Sequence, residues 1–268
     1  MDLKRTFALA VFRALGTCAL VAGAAISAAS TAWAAPISLA AMFIDHTEDF
    51  DGLAGTGTSS ALPPGWEIST AIYTAGNGGS ATNGIYSFRN VTGVTPQADR
   101  ALGSVNGAVT PLRFGASFVN NTGATVGRLD IQYIGEQWRR GGTGLDSLLF
   151  EYSVDLLTTS ILTGSWTSAP ALDFDSIQNT GSATRLNANL TENRDFIGGQ
   201  ITGLSIAPGA TVWIRYSDPA GTANHGLGVD NFQITPLPAD ANIPEPPTVA
   251  LLALGGLAAV MFGLRRNY

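Results

Sequence analysis

The sequence predicts an all-β fold: a single antiparallel β-sandwich of jelly-roll type over residues 35–235, between an N-terminal signal helix and a C-terminal transmembrane helix. Three observations predict the sandwich. Charged residues make up 13% of the 268-residue chain, about half the usual share. Gly, Ser, Thr, Asn and Ala fill the gap, which favours turns and strands over helices. Short runs alternate apolar and polar residues with a period of two, and no stretch of 35–235 sustains the 3.6-residue apolar period of a helix.

The elements follow in order. Residues 1–34 read as a secretory signal: Lys4, Arg5 and Arg13 about an apolar run over 7–26, then the small-residue site Ala32-Trp33-Ala34. Cleavage after Ala34 fits best, because the next cut places Pro36 directly after the scissile bond. An uncleaved membrane anchor is the competing reading. The strand-like runs come next. In "FEYSVD", Phe150, Tyr152 and Val154 share a face; in "TVWIRYSD", Val212, Ile214 and Tyr216 do, with Trp213 and Arg215 opposite. "ALGSV", "RLDIQYIG" and "DNFQIT" read the same way, bounded by turn signals such as Asn77-Gly78, Thr122-Gly123, Gly141-Gly142 and Pro208-Gly209. Many short strands at such spacing predict one sandwich with no internal repeat.

Residues 236–247 form a proline-rich spacer of extended, polyproline-like character. Seventeen uncharged residues, 248–264, then precede Arg265-Arg266 and the last two residues. As a helix this segment measures about 25 Å, just short of a hydrocarbon core of about 30 Å. The arginine pair holds the C-terminus in the cytoplasm and leaves the sandwich outside. A buried core helix is the competing reading.

Charge and cysteine exclude several functions. Residues 35–243 hold 9 Arg and 18 Asp plus Glu, a net charge of −9. Such a surface repels nucleic acid and anionic lipid. The lone cysteine, Cys18, lies in the signal, so the mature chain has no disulfide and no thiolate chemistry.

The tail has a tripartite pattern in fixed order at the extreme C-terminus: Pro244-Glu245-Pro246, an apolar segment, and the basic pair Arg265-Arg266. It resembles the PEP-CTERM sorting signal of Gram-negative bacteria. The resemblance implies recognition and cleavage by an exosortase, a membrane peptidase, acting on an inner-membrane-anchored precursor on its way to the cell surface or extracellular matrix. The body resembles the extracellular β domain attached to many such tails, through "PPGW", "QADRALGS", "NTGATVGRLDIQYIGEQWRRGG", "LLFEYSVD", "ATVWIRYSD" and "HGLGVDNFQIT". Members of that group often carry acidic residues where this chain has Asn224-His225 and Asn231. They are associated with exopolysaccharide-producing, biofilm-forming bacteria; the leading expectation is a secreted, non-enzymatic surface or matrix protein associated with exopolysaccharide.

Candidate chemistry within the body is sparse. His46 and His225 have no metal-ligand spacing, and His225 in a Gly-rich turn reads as a solvated loop residue. No nucleophile elbow occurs. For a polysaccharide hydrolase the carboxylates on offer are Glu67, Glu136, Glu151, Glu192 and several aspartates, with no two glutamates on one strand face. Glu136 in "GEQWRRGG" is expected to contact Arg139 or Arg100, which would depress its pKa. A lectin-like module needs an exposed aromatic. Of Trp66, Trp138, Trp166 and Trp213, Trp138 beside Gly141-Gly142 is the best surface candidate, with burial in the core the competing reading. No cofactor is otherwise implied. A structural calcium site is the one possibility, from Asp51 near the start and Asp218 and Asp230 near the end, if the terminal strands converge.

Overall fold

The computed structural model describes residues 35–90, 99–221 and 223–239. The expected signal helix, most of the spacer, the transmembrane helix and the sorting residues Pro244, Glu245, Pro246, Arg265 and Arg266 lie outside the described residues. Among the described residues no helix is long and apolar enough to cross a membrane.

The strands are β1 (Ile37–Leu39), β2 (His46–Glu48), β3 (Thr58–Ser59), β4 (Trp66–Ile68), β5 (Tyr73–Gly76), β6 (Gly84–Phe88), β7 (Ala101–Val105), β8 (Leu112–Asn120), β9 (Arg128–Arg140), β10 (Ser147–Ser153), β11 (Thr167–Ser168), β12 (Phe174–Asp175), β13 (Thr184–Arg185), β14 (Arg194–Ile201), β15 (Thr211–Asp218) and β16 (Gly226–Leu237). Among the described residues helix is confined to two single 3-10 turns, Pro170–Leu172 and Thr191–Asn193. One sheet runs β1-β8-β15-β10-β11, with β4 also on β8 and β12 on β10. The other runs β13-β9-β16-β7-β6-β5-β3, with β14 also on β9 and β2 on β16. The fold is therefore all-β, with two sheets in a sandwich-like arrangement.

The core forms where the period-2 faces meet. Phe150, Tyr216 and Phe114 stand in one row across β10, β15 and β8, and Tyr133 of the facing sheet meets Tyr216 edge-on at 5.2 Å. Trp66 packs edge-on between Phe50 at 4.7 Å and Phe232 at 5.5 Å. The rings bury their apolar area and keep the offset geometry that aromatic pairs prefer.

Two pairings depart from a purely antiparallel sandwich. β1 runs parallel to β8 and β5 runs parallel to β6. Between them β1 and β4 divide one edge of β8, β1 against Phe118–Asn120 and β4 against Phe114–Ala116. The last strand continues through Pro236 to Leu237, two residues past Thr235, because Leu237 still pairs with Arg128. Proline is tolerated there because it stands at the end of the ladder.

β9 decides where the functional surface lies. Its first half alternates, with Leu129, Ile131 and Tyr133 facing the core. From Gly135 to Arg139 both faces are buried. On the outer face a second apolar cluster gathers Trp138, Tyr86, Phe88, Ala101, Val105 and Ala188. Trp138 is closed in by the turn at Gly78, where a β-carbon would stand 1.8 Å from the Trp138 carbonyl oxygen, and φ is +76°. Only glycine fits that contact.

Candidate functional site

The outward face of the nine-stranded sheet carries the candidate site. Register places Phe196 of β14, Ile134 of β9 and Asp230 of β16 in one row, and Arg194, Glu136 and Gly228 in the next. Beside the first row an open cleft of about 490 Å³ is lined by Ile134, Thr191, Arg194, Asp195, Phe196 and Asn231.

Phe196 is 61% exposed. Its ring lies along the strand: Cε1 and Cζ are 3.0 and 3.2 Å from where a β-carbon at Gly198 would stand. Glycine at that position leaves room for the far edge of the ring. Polar groups flank it. The Asp195 carboxylate accepts the Phe196 backbone N–H at 2.9 Å. Asn231 sits at the irregularity of β16 with φ 50°, and its backbone N–H and side-chain amide both donate to Asp230, at 2.6 and 2.8 Å. The Arg194 guanidinium has no ion-pair partner among the described residues.

Behind the cleft lie buried acids. Glu136 is 1% exposed and accepts the Trp138 indole N–H at 2.9 Å. Its other oxygen has no hydrogen-bond partner among the described residues. Burial pushes its carboxyl up to about 9, Asp230 and Asp99 add to the shift, and Trp138 and Arg194 oppose it only in part. Burial likewise raises Asp230 to about 8, against the hydrogen bond from Asn231 and with Asp99, Asp51 and Asp49 reinforcing it. Both groups are protonated over much of the neutral range.

Several expectations need correction. Trp138 is fully buried, stacked at 6.0 Å on Phe88, and offers no surface to a glycan. Glu136 has no arginine hydrogen bond. Arg139, returned to the outer face by the register shift at Trp138, donates instead to the carbonyls of Gly78 and Gly79, while Arg100 donates to Ala54 O and Ser87 Oγ. Its pKa is accordingly raised, not depressed. His225 is buried rather than solvated: Nδ1 accepts the Gly141 N–H, so Nε2–H faces the Gly144 carbonyl at 2.9 Å.

The proposed calcium ligands separate. Asp51 and Asp230 are electrostatic neighbours, since β2 pairs with β16. Asp218 lies on β15 of the other sheet, accepts the hydroxyl of Ser104 on β7 at 2.6 Å and interacts with Asp146. Asp51, Asp218 and Asp230 thus do not make one shell. Among the described residues no group of three or more His, Cys, Asp or Glu is arranged to hold a metal ion.

Of the other glutamates, Glu151 pairs with Arg215 at 2.7 Å, and Glu67 accepts the Ile161 backbone N–H at 3.2 Å. Arg215 also lies 4.0 Å over the Trp166 ring and donates to Ile161 O, which fastens the 154–165 loop to the outside of the seven-stranded sheet. Phe196 escaped the sequence reading. Its signal was available: an aromatic followed at i+2 by glycine within the exposed run "RDFIGGQ".

Comparison with known proteins turns on the C-terminal segment. A PEP-CTERM protein-sorting motif matches residues 242–267. The chain carries a PEP-CTERM sorting signal. It therefore encodes an exported protein of the kind that exosortases process. No curated protein matches the chain. The fold has remote likenesses among solved structures. The CBM22-1 xylan-binding domain from Paenibacillus barcinonensis Xyn10C is 14% identical, with 77% of this chain and 99% of that one covered at a TM-score of 0.35. The K2 cleaved adhesin domain of Lys-gingipain is 17% identical, over 71% and 97%, at 0.37. CBM29_1 from Piromyces equi is 10% identical, over 75% and 97%, at 0.34. Likeness this remote carries no ligand or activity to the PEP-CTERM chain.

Proposed function

We propose that this is a non-enzymatic cell-surface or matrix protein, whose sorting tail is removed by an exosortase and whose β domain then associates with extracellular polysaccharide. The sorting motif at 242–267 carries the reading. The net charge of −9 over 35–243 is consistent with it, since that surface disfavours nucleic acid and anionic membrane as resting places. The second reading, a lectin-like glycan-binding module, is favoured by the exposed ring of Phe196 beside planar polar groups. A hydrolase is the weaker alternative. Glu136 is protonated near neutrality but sealed at 1% exposure, and Glu151 is held by Arg215.

Fractionation of the native host tests the proposal. The protein is expected in the matrix fraction and should co-sediment with isolated exopolysaccharide, and replacing Pro244, Glu245 and Pro246 by alanine should leave it in the cell envelope. Matrix delivery unaffected by that replacement would overturn the sorting step. Release of reducing sugar by the purified protein would overturn the non-enzymatic role.

A further inference from the structure

We infer that the Phe196 cleft is a stacking subsite for a pyranose unit of a neutral polysaccharide. The inference rests on the proposed association with polysaccharide and says where and how it occurs.

A pyranose presents one face of C–H groups and a rim of equatorial hydroxyls. The apolar face needs an exposed, flat π surface, and the rim needs planar groups that both donate and accept. The cleft supplies both. Phe196 is 61% exposed, and the far edge of its ring lies over Gly198, where no side chain displaces it. Arg194, Asp195, Thr191 and Asn231 line the same cleft, giving a guanidinium, a carboxylate, a hydroxyl and an amide around the ring. The floor is firm. Ile134 is fixed between β14 and β16, Asp195 is tied to the backbone of its own strand, and Asp230 holds Asn231 at two points. A rigid floor limits the ordering cost of binding.

Trp166 is the obvious rival and is less suited, because Arg215 already lies 4.0 Å over its ring. Charge selects a neutral strand. Among the described residues Arg194 is the only cation lining the cleft, Asp195 stands beside it, and residues 35–243 carry net −9. A polyuronate would meet that field along its whole length.

The test uses the full chain expressed in its native host, with the processed protein recovered and run in native gels containing xylan, mannan, galactan, a β-1,3-glucan or polygalacturonate. At least one neutral polysaccharide should retard the wild type. Phe196→Ala should weaken that retardation roughly tenfold in apparent affinity. Gly198→Val, which keeps the ring but lifts it from the sheet, should do the same. Trp166→Ala should bind as wild type. Each variant is checked for an unchanged thermal transition, and position 198 is exposed. Retardation by polygalacturonate alone, or binding that survives both Phe196→Ala and Gly198→Val, would overturn the subsite while leaving polysaccharide association intact. Retardation by none of the five would overturn both.

Discussion

The indole N–H of Trp138 donates to Glu136 Oε2 at 2.9 Å, and both side chains are buried on the outer face of β9. Two residues that look like surface chemistry in the sequence are thus a private polar contact inside a secondary core. The carboxyl is kept protonated by burial, with Asp230 and Asp99 close by.

That protonation predicts a pH dependence. The folded carboxyl titrates near 9 against an ordinary value of 4.5, so between these pH values the folded state holds a proton that the unfolded state has lost. Stability from Glu136 is complete below about pH 4.5 and declines as pH rises towards 9. Glu136→Gln mimics the protonated form. Thermal unfolding followed by circular dichroism should show the variant equal to wild type at pH 5 and more stable at pH 8.5. Equal midpoints at both pH values would contradict the assignment.

Trp138→Ala should act on stability. Removing a fully buried indole that stacks on Phe88 and satisfies Glu136 should cost about 3–5 kcal/mol. Urea unfolding measures this directly. A loss under about 1 kcal/mol would place Trp138 at an accessible surface instead.

Arg215 ties together Glu151, Ile161 O and the Trp166 ring, with its side chain 10% exposed. Arg215→Ala leaves Glu151 with only Arg113 as a cationic neighbour and frees the loop over 154–165. The expected cost is about 1–2 kcal/mol. Limited proteolysis should then cut first near Leu156 and Leu157, which are 89% and 77% exposed. Unchanged proteolysis would show that the loop is held by other contacts.

These cases mark what the sequence could and could not convey. Alternation in "TVWIRYSD" put Val212, Ile214 and Tyr216 on one face, and all three are fully buried. Alternation is a local property, set by the two-residue repeat of the strand. In "FEYSVD" it held for Phe150 but overran the strand, which ends at Ser153, so Val154 is exposed. Burial of the outer face is not local. Trp138 is covered by the turn at Gly78 and by Ala188, far away on either side in sequence. Glu136 and Arg139 lie three residues apart, which in an unbroken strand means opposite faces, but the register shift at Trp138 returns Arg139 to the face of Glu136, and neither that irregularity nor the carbonyls that receive Arg139 could be foreseen. The convergence of chain ends was legible for Asp51 and Asp230 through β2 and β16, and failed for Asp218 because β15 belongs to the other sheet. Phe196 was readable from its Gly198 neighbour, but only the cleft beside it gives the pattern meaning.

The central claim is that the chain is exported and sorted through its tail, with the β domain as the working part. Intact mass spectrometry of the protein recovered from the native host's matrix tests this most directly. The account predicts a chain that begins at Ala35 and ends upstream of the apolar segment 248–264. A mature chain still ending in Tyr268 would contradict it and make the tail an ordinary anchor.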